Sequence, residues 1–209
     1  MRFNLIAAVA AAAFAVALVP SACAATIIDE WASVKAPAAP ALNPVTVDPK
    51  TTALLMLDFM KANCGVRPRC VATVPAVTKL LGAARAAKAT VIYSYFGKNT
   101  AADILDPGLA PAAGETSVTS FADKFLNTDL DKMLKDKGIT TVIGVGTAAN
   151  GAVLYTGSGA GLRGYNVIVP VDGISAADTY SEQFSTWQLA NGPTFGQKVT
   201  ITTSDMIKF

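Results

Sequence analysis

The sequence predicts an α/β domain in which helices cover both faces of a parallel sheet. Several short apolar runs lack the alternation of a sheet with one wet face, which is typical of strands buried on both sides. These runs alternate along the chain with segments of helical character, as in successive βαβ units. With 209 residues, of which 52% are hydrophobic, the chain is long enough to form one domain with a sizeable core.

The first half of the domain contains three predicted strands and one predicted helix. Residues 53–59 form an apolar run that ends next to an acidic residue and predict the first core strand. Residues 74–88 place apolar side chains on one face and lysine and arginine on the other, as in an amphipathic helix. Residues 90–95 predict a second strand, and residues 97–120, rich in Pro, Gly and Ala, predict a long loop with one short strand near Val118.

The second half continues the alternation. Thr128 is a suitable N-cap for a helix, two aspartates follow it in the positive first turn, and Gly138 ends the segment. The remaining predicted elements are, in chain order, a strand at 140–145, a helix that starts near Ala152, a strand at 166–171, a helix at 178–190 and a strand at 199–202.

Composition excludes several classes of function. The chain contains no histidine, which rules out a Ser-His-Asp triad, a Cys-His pair and any zinc site that needs histidine. The net charge is +2 without a run of basic residues, so we expect no nucleic-acid partner. No glycine-rich nucleotide-binding motif follows the first strand. We therefore expect a small-molecule ligand and neither a cofactor nor a metal.

The N-terminus has the pattern of a signal peptide. Arg2 precedes the apolar stretch 5–19, and Ala22-Cys23-Ala24 offers small residues for cleavage, so we expect residues 1–24 to be removed on export to the periplasm or the medium. The alternative is a lipid anchor on Cys23. Residues 25–50 predict an irregular lead-in, and no membrane span is expected in the mature chain.

Cys64 and Cys70 flank a short loop that contains Arg67 and Arg69. In an oxidising compartment, two cysteines so close in sequence indicate a disulfide. The alternative is a reactive Cys64 thiolate that a neighbouring arginine stabilises. The two arginines either hold an anionic substrate at the rim of a pocket or are simply solvated.

A turn of small residues joins the strand at 140–145 to the following helix. Such a turn places backbone N–H groups at the carboxyl edge of the sheet, where ligands bind in open α/β folds. Ala149, Asn150 and Gly151 are therefore candidate substrate-binding residues. The alternative is that the small residues serve only close packing between helix and sheet.

Four blocks in this order resemble the isochorismatase-like hydrolase family: Leu57-Asp58-Phe59, 125–130, 142–156 and 163–172. The resemblance covers roughly Thr51 to Leu189, with the family domain taken as 51–209. It implies a doubly wound α/β fold around a mostly parallel six-stranded sheet, and a possible homo-oligomer. Most members of the family are amidases that use an aspartate, a lysine and a cysteine to cleave C–N bonds through a thioester.

Carried over to this chain, the family's aspartate falls on Asp58, whereas its lysine position falls on Thr119 and its cysteine on Ala152. The lysine actually present, Lys124, is displaced by five positions. An alanine cannot act as a nucleophile, so the resemblance does not imply a cysteine amidase here. Isochorismatases proper have a glycine at this position, because cleavage of a vinyl ether needs a proton donor and water rather than a thiol.

Two functions stay open on the sequence. In the first, the protein is a hydrolase with Asp58 as general acid or base and Lys124 beside it. In the second, it has lost catalysis and uses the pocket around Asp58, Asn150 and Ala152 for binding or for a structural task. The position of Lys124 separates these hypotheses, because contact with Asp58 restores an acid/base pair.

Both charged residues also have a purely structural interpretation. Asp58 alternatively only caps the end of its strand. Lys124 alternatively pairs with Asp123 or Glu115, or is solvated.

Overall fold

The computed structural model of the protein describes residues 24–209. Residues 1–23, which include Cys23 and all of the predicted signal peptide except Ala24, lie outside the described residues. Within the described part, no helix is both long enough and apolar enough to cross a membrane. The short segment up to Ala36 contains helix α1, Ile27–Glu30, whose N-cap Thr26 exchanges hydrogen bonds with Asp29.

Residues from Pro37 onward form the α/β unit. Its strands are β1 (Val45–Thr46), β2 (Thr52–Leu57), β3 (Thr90–Tyr95), β4 (Thr116–Thr119), β5 (Thr141–Thr147), β6 (Asn166–Pro170), β7 (Ile174–Ser175), β8 (Val199–Thr202) and β9 (Ile207–Lys208). Its helices are α2 (Pro68–Ala86), α3 (Leu130–Asp136), α4 (Leu154–Leu162) and α5 (Thr179–Asn191).

The main sheet is parallel throughout, and six strands lie side by side in the order β4-β3-β2-β5-β6-β8. From β2 the chain winds outward through β3 to β4, then returns to β5 and winds the other way. The predicted doubly wound α/β class is confirmed. The carboxyl ends of β2 and β5 flank the point where the winding reverses, which is the usual ligand site of such folds.

The predicted number of six strands is wrong by one, because β7 pairs with the end of β5 and gives a seven-stranded sheet. A two-residue strand is too short to produce a hydrophobic pattern. The same reason explains why the small parallel pair β1–β9 was not predicted.

Strand β2 shows how the sheet is buried on both faces. Leu55 and Leu57 pack into a core cluster with residues of α3, α4 and α5, whereas Leu54 and Met56 pack into a second cluster with α2. Successive side chains of a strand point to opposite faces, so an uninterrupted apolar run is what this position requires. Helices therefore cover both faces, as the sequence predicts.

Helix α2 begins at Pro68, six residues before its predicted start. Proline is well suited to the first turn of a helix, because it lacks the N–H that would have no partner there. The early start places Cys70 inside the helix and leaves Arg67 as its extended N-cap residue.

Candidate functional site

Asp58 lies directly after β2, at the carboxyl edge of the sheet. Its backbone adopts a positive φ of 58°, so the chain turns sharply as the strand ends. Only 4% of the residue is exposed. The hydroxyl of Ser94, at the corresponding point of β3, donates a hydrogen bond of 2.7 Å to Asp58 Oδ1. Sequence analysis did not identify Ser94, since a lone serine in a strand carries no signal.

Lys124 holds the other carboxylate oxygen. Its Nζ lies 2.7 Å from Asp58 Oδ2 and donates two further hydrogen bonds, to the carbonyl oxygens of Phe121 (2.7 Å) and Ser120 (3.2 Å). The lysine is completely buried. An ammonium group has three N–H donors, and here each has its own acceptor. The group is therefore fixed in place and has no donor left for a ligand.

The loop after β4 brings Lys124 to this position. Its backbone N–H donates a hydrogen bond of 3.1 Å to the hydroxyl of Thr156 on α4, and its carbonyl accepts one from Thr128. Thr119, the position of the lysine in the resemblance, is an exposed residue at the end of β4. The lysine thus comes from the loop rather than from the strand.

Lys124 is neither solvated nor paired with Asp123 or Glu115, although the structural interpretation expects one or the other. Glu115 pairs with Arg85, and Asp123 accepts a hydrogen bond from the backbone of Phe125. Lys124 pairs with Asp58 instead.

The electrostatics of Asp58 combine two opposing effects. Burial raises the pKa of the Asp58 carboxyl, because a desolvated carboxylate is costly, while Lys124 and Ser94 favour the charged form. The balance leaves the pKa above its usual range. A carboxyl of this kind is suited to exchanging protons with a substrate or with water.

The end of β5 and the turn after it close the other side of the site. Gly146, in β5, has a φ of 143°, and a Cβ at this position would lie 2.0 Å from the carbonyl oxygen of Leu57, so only glycine fits. This close approach brings the end of β5 against the end of β2, immediately before Asp58. The peptide bond between Thr147 and Ala148 is cis.

Ala152 lies in the helical turn Ala149–Val153 and is 4% exposed. It lines a cavity of about 280 Å³ together with Asp58, Arg67 and Thr147. Two aromatic residues, Phe96 and Phe121, complete the lining together with the small or polar residues Asn63, Ala122 and Ala148.

The three candidate substrate-binding residues of the turn are not among those that line this cavity. Ala149 packs in the core, Asn150 is exposed and Gly151 is half-buried. Their contact with a substrate stays a prediction. Within residues 24–209, no group of three or more Cys, Asp or Glu side chains is placed to hold a metal ion.

Cys64 and Cys70 form the predicted disulfide, with a Cα–Cα distance of 5.1 Å, and this prediction is confirmed. The two arginines between them point to different places. Arg69 forms a bidentate ion pair with Glu182, whereas Arg67 donates a hydrogen bond of 3.3 Å to Thr147 Oγ1 and lines the cavity. The sequence gives no sign of which arginine faces the site.

Residues 52–204 match the family model of the Isochorismatase domain. The chain belongs to the isochorismatase family. A search of curated proteins gave no match.

Several solved structures have the same fold as this chain. A cysteine hydrolase from Pseudomonas syringae pv. phaseolicola is 25% identical, with a TM-score of 0.68, and the match covers 79% of this chain and 94% of that one. An isochorismatase family protein from Burkholderia thailandensis is 23% identical, with a TM-score of 0.66, over 79% and 97% of the two chains. N-carbamoylsarcosine amidase from Thermoplasma acidophilum is 22% identical, with a TM-score of 0.63, and the match covers 74% of this chain and 97% of that one.

Membership of this family supports a hydrolase function and a small-molecule substrate in general terms. In this family member, Asp58 lines the same cavity as Ala152, and Lys124 contacts Asp58 from the buried side.

Proposed function

We propose that this isochorismatase-family protein is an exported hydrolase that cleaves a small organic substrate by acid/base chemistry at Asp58, without a covalent cysteine intermediate. The observation that carries the proposal is the buried contact of 2.7 Å between Lys124 Nζ and Asp58 Oδ2, at a cavity that Asp58 itself lines. This contact supports an acid/base role for Asp58 although the lysine is displaced in sequence.

The assignment of Ala152 to the nucleophile position comes from the sequence resemblance. A methyl group cannot form a thioester, and loss of a catalytic nucleophile costs about a million-fold in turnover where it has been measured. We therefore propose a reaction that needs only a proton donor and water. Acid-promoted cleavage of a vinyl ether, as in isochorismatases proper, meets this requirement.

In such a reaction, the Asp58 carboxyl transfers its proton to the terminal vinyl carbon and becomes a carboxylate. Water adds to the neighbouring carbon and releases a proton, and the resulting hemiketal collapses to a ketone and an alcohol. The carboxylate that Lys124 and Ser94 hold takes up the released proton, which restores the starting state.

Lys124 acts on this reaction through Asp58. All three of its N–H donors have protein acceptors, so it orients the carboxyl and stabilises the carboxylate without contacting substrate. We class it as a positioning residue.

The test is turnover of a panel of small vinyl ethers and amides by the wild-type protein and by Asp58→Asn. Asp136→Asn is the matched control, because Asp136 lies on the surface and pairs there with Lys132, on an exposed helix face and far in sequence from the chemistry proposed for Asp58. General acid catalysis contributes about 10²–10⁴-fold, so we expect Asp58→Asn to lose at least about a hundredfold in kcat on vinyl ethers. Undiminished turnover of a substrate by Asp58→Asn would contradict the mechanism.

Ala152 favours a second candidate function, in which the family member binds a small molecule without converting it. The same variants distinguish the two functions. In a binding protein no member of the panel turns over, and Asp58→Asn changes only the affinity of a ligand, with the fold unchanged by circular dichroism.

We also propose that the mature protein is exported and lacks residues 1–24. The buried disulfide supports this proposal, because disulfides persist in oxidising compartments. Mass spectrometry of the mature N-terminus tests it. A chain that begins at a lipid-modified Cys23 would establish the anchored alternative, and an unprocessed chain would contradict both.

A further inference from the structure

We propose that Arg67, held at the cavity by the Cys64–Cys70 disulfide, binds the carboxylate of a small ligand whose flat apolar part lies against Phe96 and Phe121. Such a ligand would be the substrate class of the proposed hydrolase. Its binding does not depend on the proposed function, whereas its turnover does.

Arg67 has unused hydrogen-bonding capacity at the cavity. A guanidinium has five N–H donors, and among the described residues the side chain of Arg67 bonds only to Thr147 Oγ1. It forms no ion pair with a carboxylate in the described part of the chain, in contrast to Arg69 and Arg85, whose partners are Glu182 and Glu115. Arg67 is half-buried and lines the cavity.

The charges around the cavity favour an anion. In the carboxylate form of Asp58, the negative charge is matched by Lys124 at 2.7 Å, and Lys124 has no donor left to offer. Arg67 therefore provides the unbalanced positive charge among the cavity residues. The planar fork of an arginine matches the two oxygens of a carboxylate, and such charge-assisted pairs are stronger than neutral hydrogen bonds.

An apolar surface lies beside this charge. The rings of Phe96 and Phe121 meet edge to face, with centroids 5.8 Å apart, and both line the cavity. They remain 42% and 71% exposed, respectively, although large aromatic side chains are normally buried. A flat apolar group placed against them would remove this surface from water. The volume of about 280 Å³ suits one small ring rather than a larger molecule.

The disulfide fixes the backbone from which Arg67 extends. The Arg67 N–H donates to the carbonyl of Cys64 and its carbonyl accepts from the Cys70 N–H, both at 2.9 Å, and the two sulfurs close the loop. Pro68 begins α2 at the next residue. A binding group held in this way loses little conformational entropy when the ligand arrives.

The test compares benzoate with benzamide, which have the same shape and differ in charge. Binding of each probe to the wild-type protein is measured by NMR titration, without turnover. We expect benzoate to bind at least about tenfold more tightly than benzamide, because a hydrogen bond to a charged group is worth more than a neutral one. Arg67→Gln should abolish this preference, and Arg67→Lys should restore part of it, since the charge returns without the fork.

Arg69→Gln is the matched control, because it removes an arginine only two residues away, in the first turn of α2, and the side chain of that arginine is engaged by Glu182. It should retain the preference for benzoate. Three results would each overturn the inference. The first is equal binding of the two probes, and the second is a preference for benzoate that survives in Arg67→Gln. The third is no binding of benzoate at about 10 mM, because a charge-assisted contact in a preformed site should give a much higher affinity.

The role of the disulfide is tested with the double variant Cys64→Ser/Cys70→Ser. We expect its preference for benzoate to fall although Arg67 is present. If the variant does not fold, the same titration is run on native protein treated with a phosphine reductant, after mass spectrometry has confirmed two free thiols. An unchanged preference after reduction would overturn the positioning role.

These outcomes are separable from those of the proposed function. If the protein prefers benzoate through Arg67 but turns over no vinyl ether, the anion site is supported and the proposed hydrolase function is refuted. Conversely, turnover that depends on Asp58 without a preference for benzoate refutes only the anion site.

Discussion

Removing the ammonium of Lys124 should destabilise the protein severely, because the group is buried among three acceptors. Lys124→Met keeps most of the side-chain volume but leaves Asp58 as an unpaired buried charge and deprives the Ser120 and Phe121 carbonyls of their donor. Breaking a buried ion pair at one partner costs about 3–5 kcal/mol. For a domain of this size, this corresponds to a fall in Tm of about 6–20 °C.

The assay is a double-mutant cycle by urea denaturation, with Lys124→Met, Asp58→Asn and the double variant. Once Asp58→Asn has removed the negative charge, the additional Lys124→Met change no longer leaves a buried carboxylate unpaired. We therefore expect a coupling free energy of at least about 2 kcal/mol between the two positions. Lys132→Met is the control, because Lys132 pairs with Asp136 on an exposed helix face, and we expect its cost to stay within about 0.5 kcal/mol.

The cycle also gives the result that would refute this reasoning. Sites that do not interact are additive within about 0.3–0.5 kcal/mol. If the double variant is destabilised by the sum of the single effects within that margin, Lys124 and Asp58 do not form the buried pair. A cost for Lys124→Met as small as that of Lys132→Met would lead to the same conclusion.

Two further predictions concern the protonation of Asp58 and the position of Ala152. Because burial raises the pKa of Asp58, the folded state holds this proton more tightly than the unfolded state, so the free energy of unfolding should fall relative to Asp58→Asn as pH rises above about 3.9. Urea denaturation from pH 3 to pH 7 measures the free energy of unfolding of the wild type minus that of Asp58→Asn. If this quantity stays constant or rises with pH, the pKa of Asp58 is not raised. Ala152→Cys should be alkylated by iodoacetamide faster than the control Ala122→Cys in the same cavity, if Asp58, which also lines that cavity, acts as the base for a thiol at position 152 as proposed. Equal rates by mass spectrometry, or a rate unaffected by adding Asp58→Asn, would show that Asp58 does not act on that position.

The sheet and the position of Asp58 could be predicted from sequence because their signals are local. An apolar run buried on both faces requires adjacent hydrophobic residues, and the acid that follows it must lie at the edge of the sheet. The start of α2 was missed for an equally local reason. Its first turn, from Pro68, carries arginine and cysteine rather than an apolar stripe, so the helical pattern appears only later.

The contact of Lys124 with Asp58 could not be predicted in the same way. It depends on the path of the loop after β4, which the hydroxyls of Thr156 and Thr128 hold against the rest of the fold. Such contacts join residues far apart in sequence and leave no periodic signal. The orientations of Arg67 and Arg69 depend likewise on the partners Thr147 and Glu182, which lie on distant elements.

Under the proposed function, the displacement of Lys124 and the alanine at position 152 have different consequences for catalysis. A lysine has a long flexible side chain, so a residue five positions away can deliver its ammonium to Asp58. A nucleophile must instead lie within hydrogen-bond reach of the base that activates it, and a residue elsewhere in the chain cannot supply the thiol that Ala152 lacks. Among the residues that line the cavity, Thr147 is the one with a hydroxyl, and its oxygen is already engaged, since it donates to the Ser175 carbonyl and accepts from Arg67. The residues that line the cavity therefore offer no free hydroxyl or thiol beside Asp58, which is why the proposed function relies on direct attack by water.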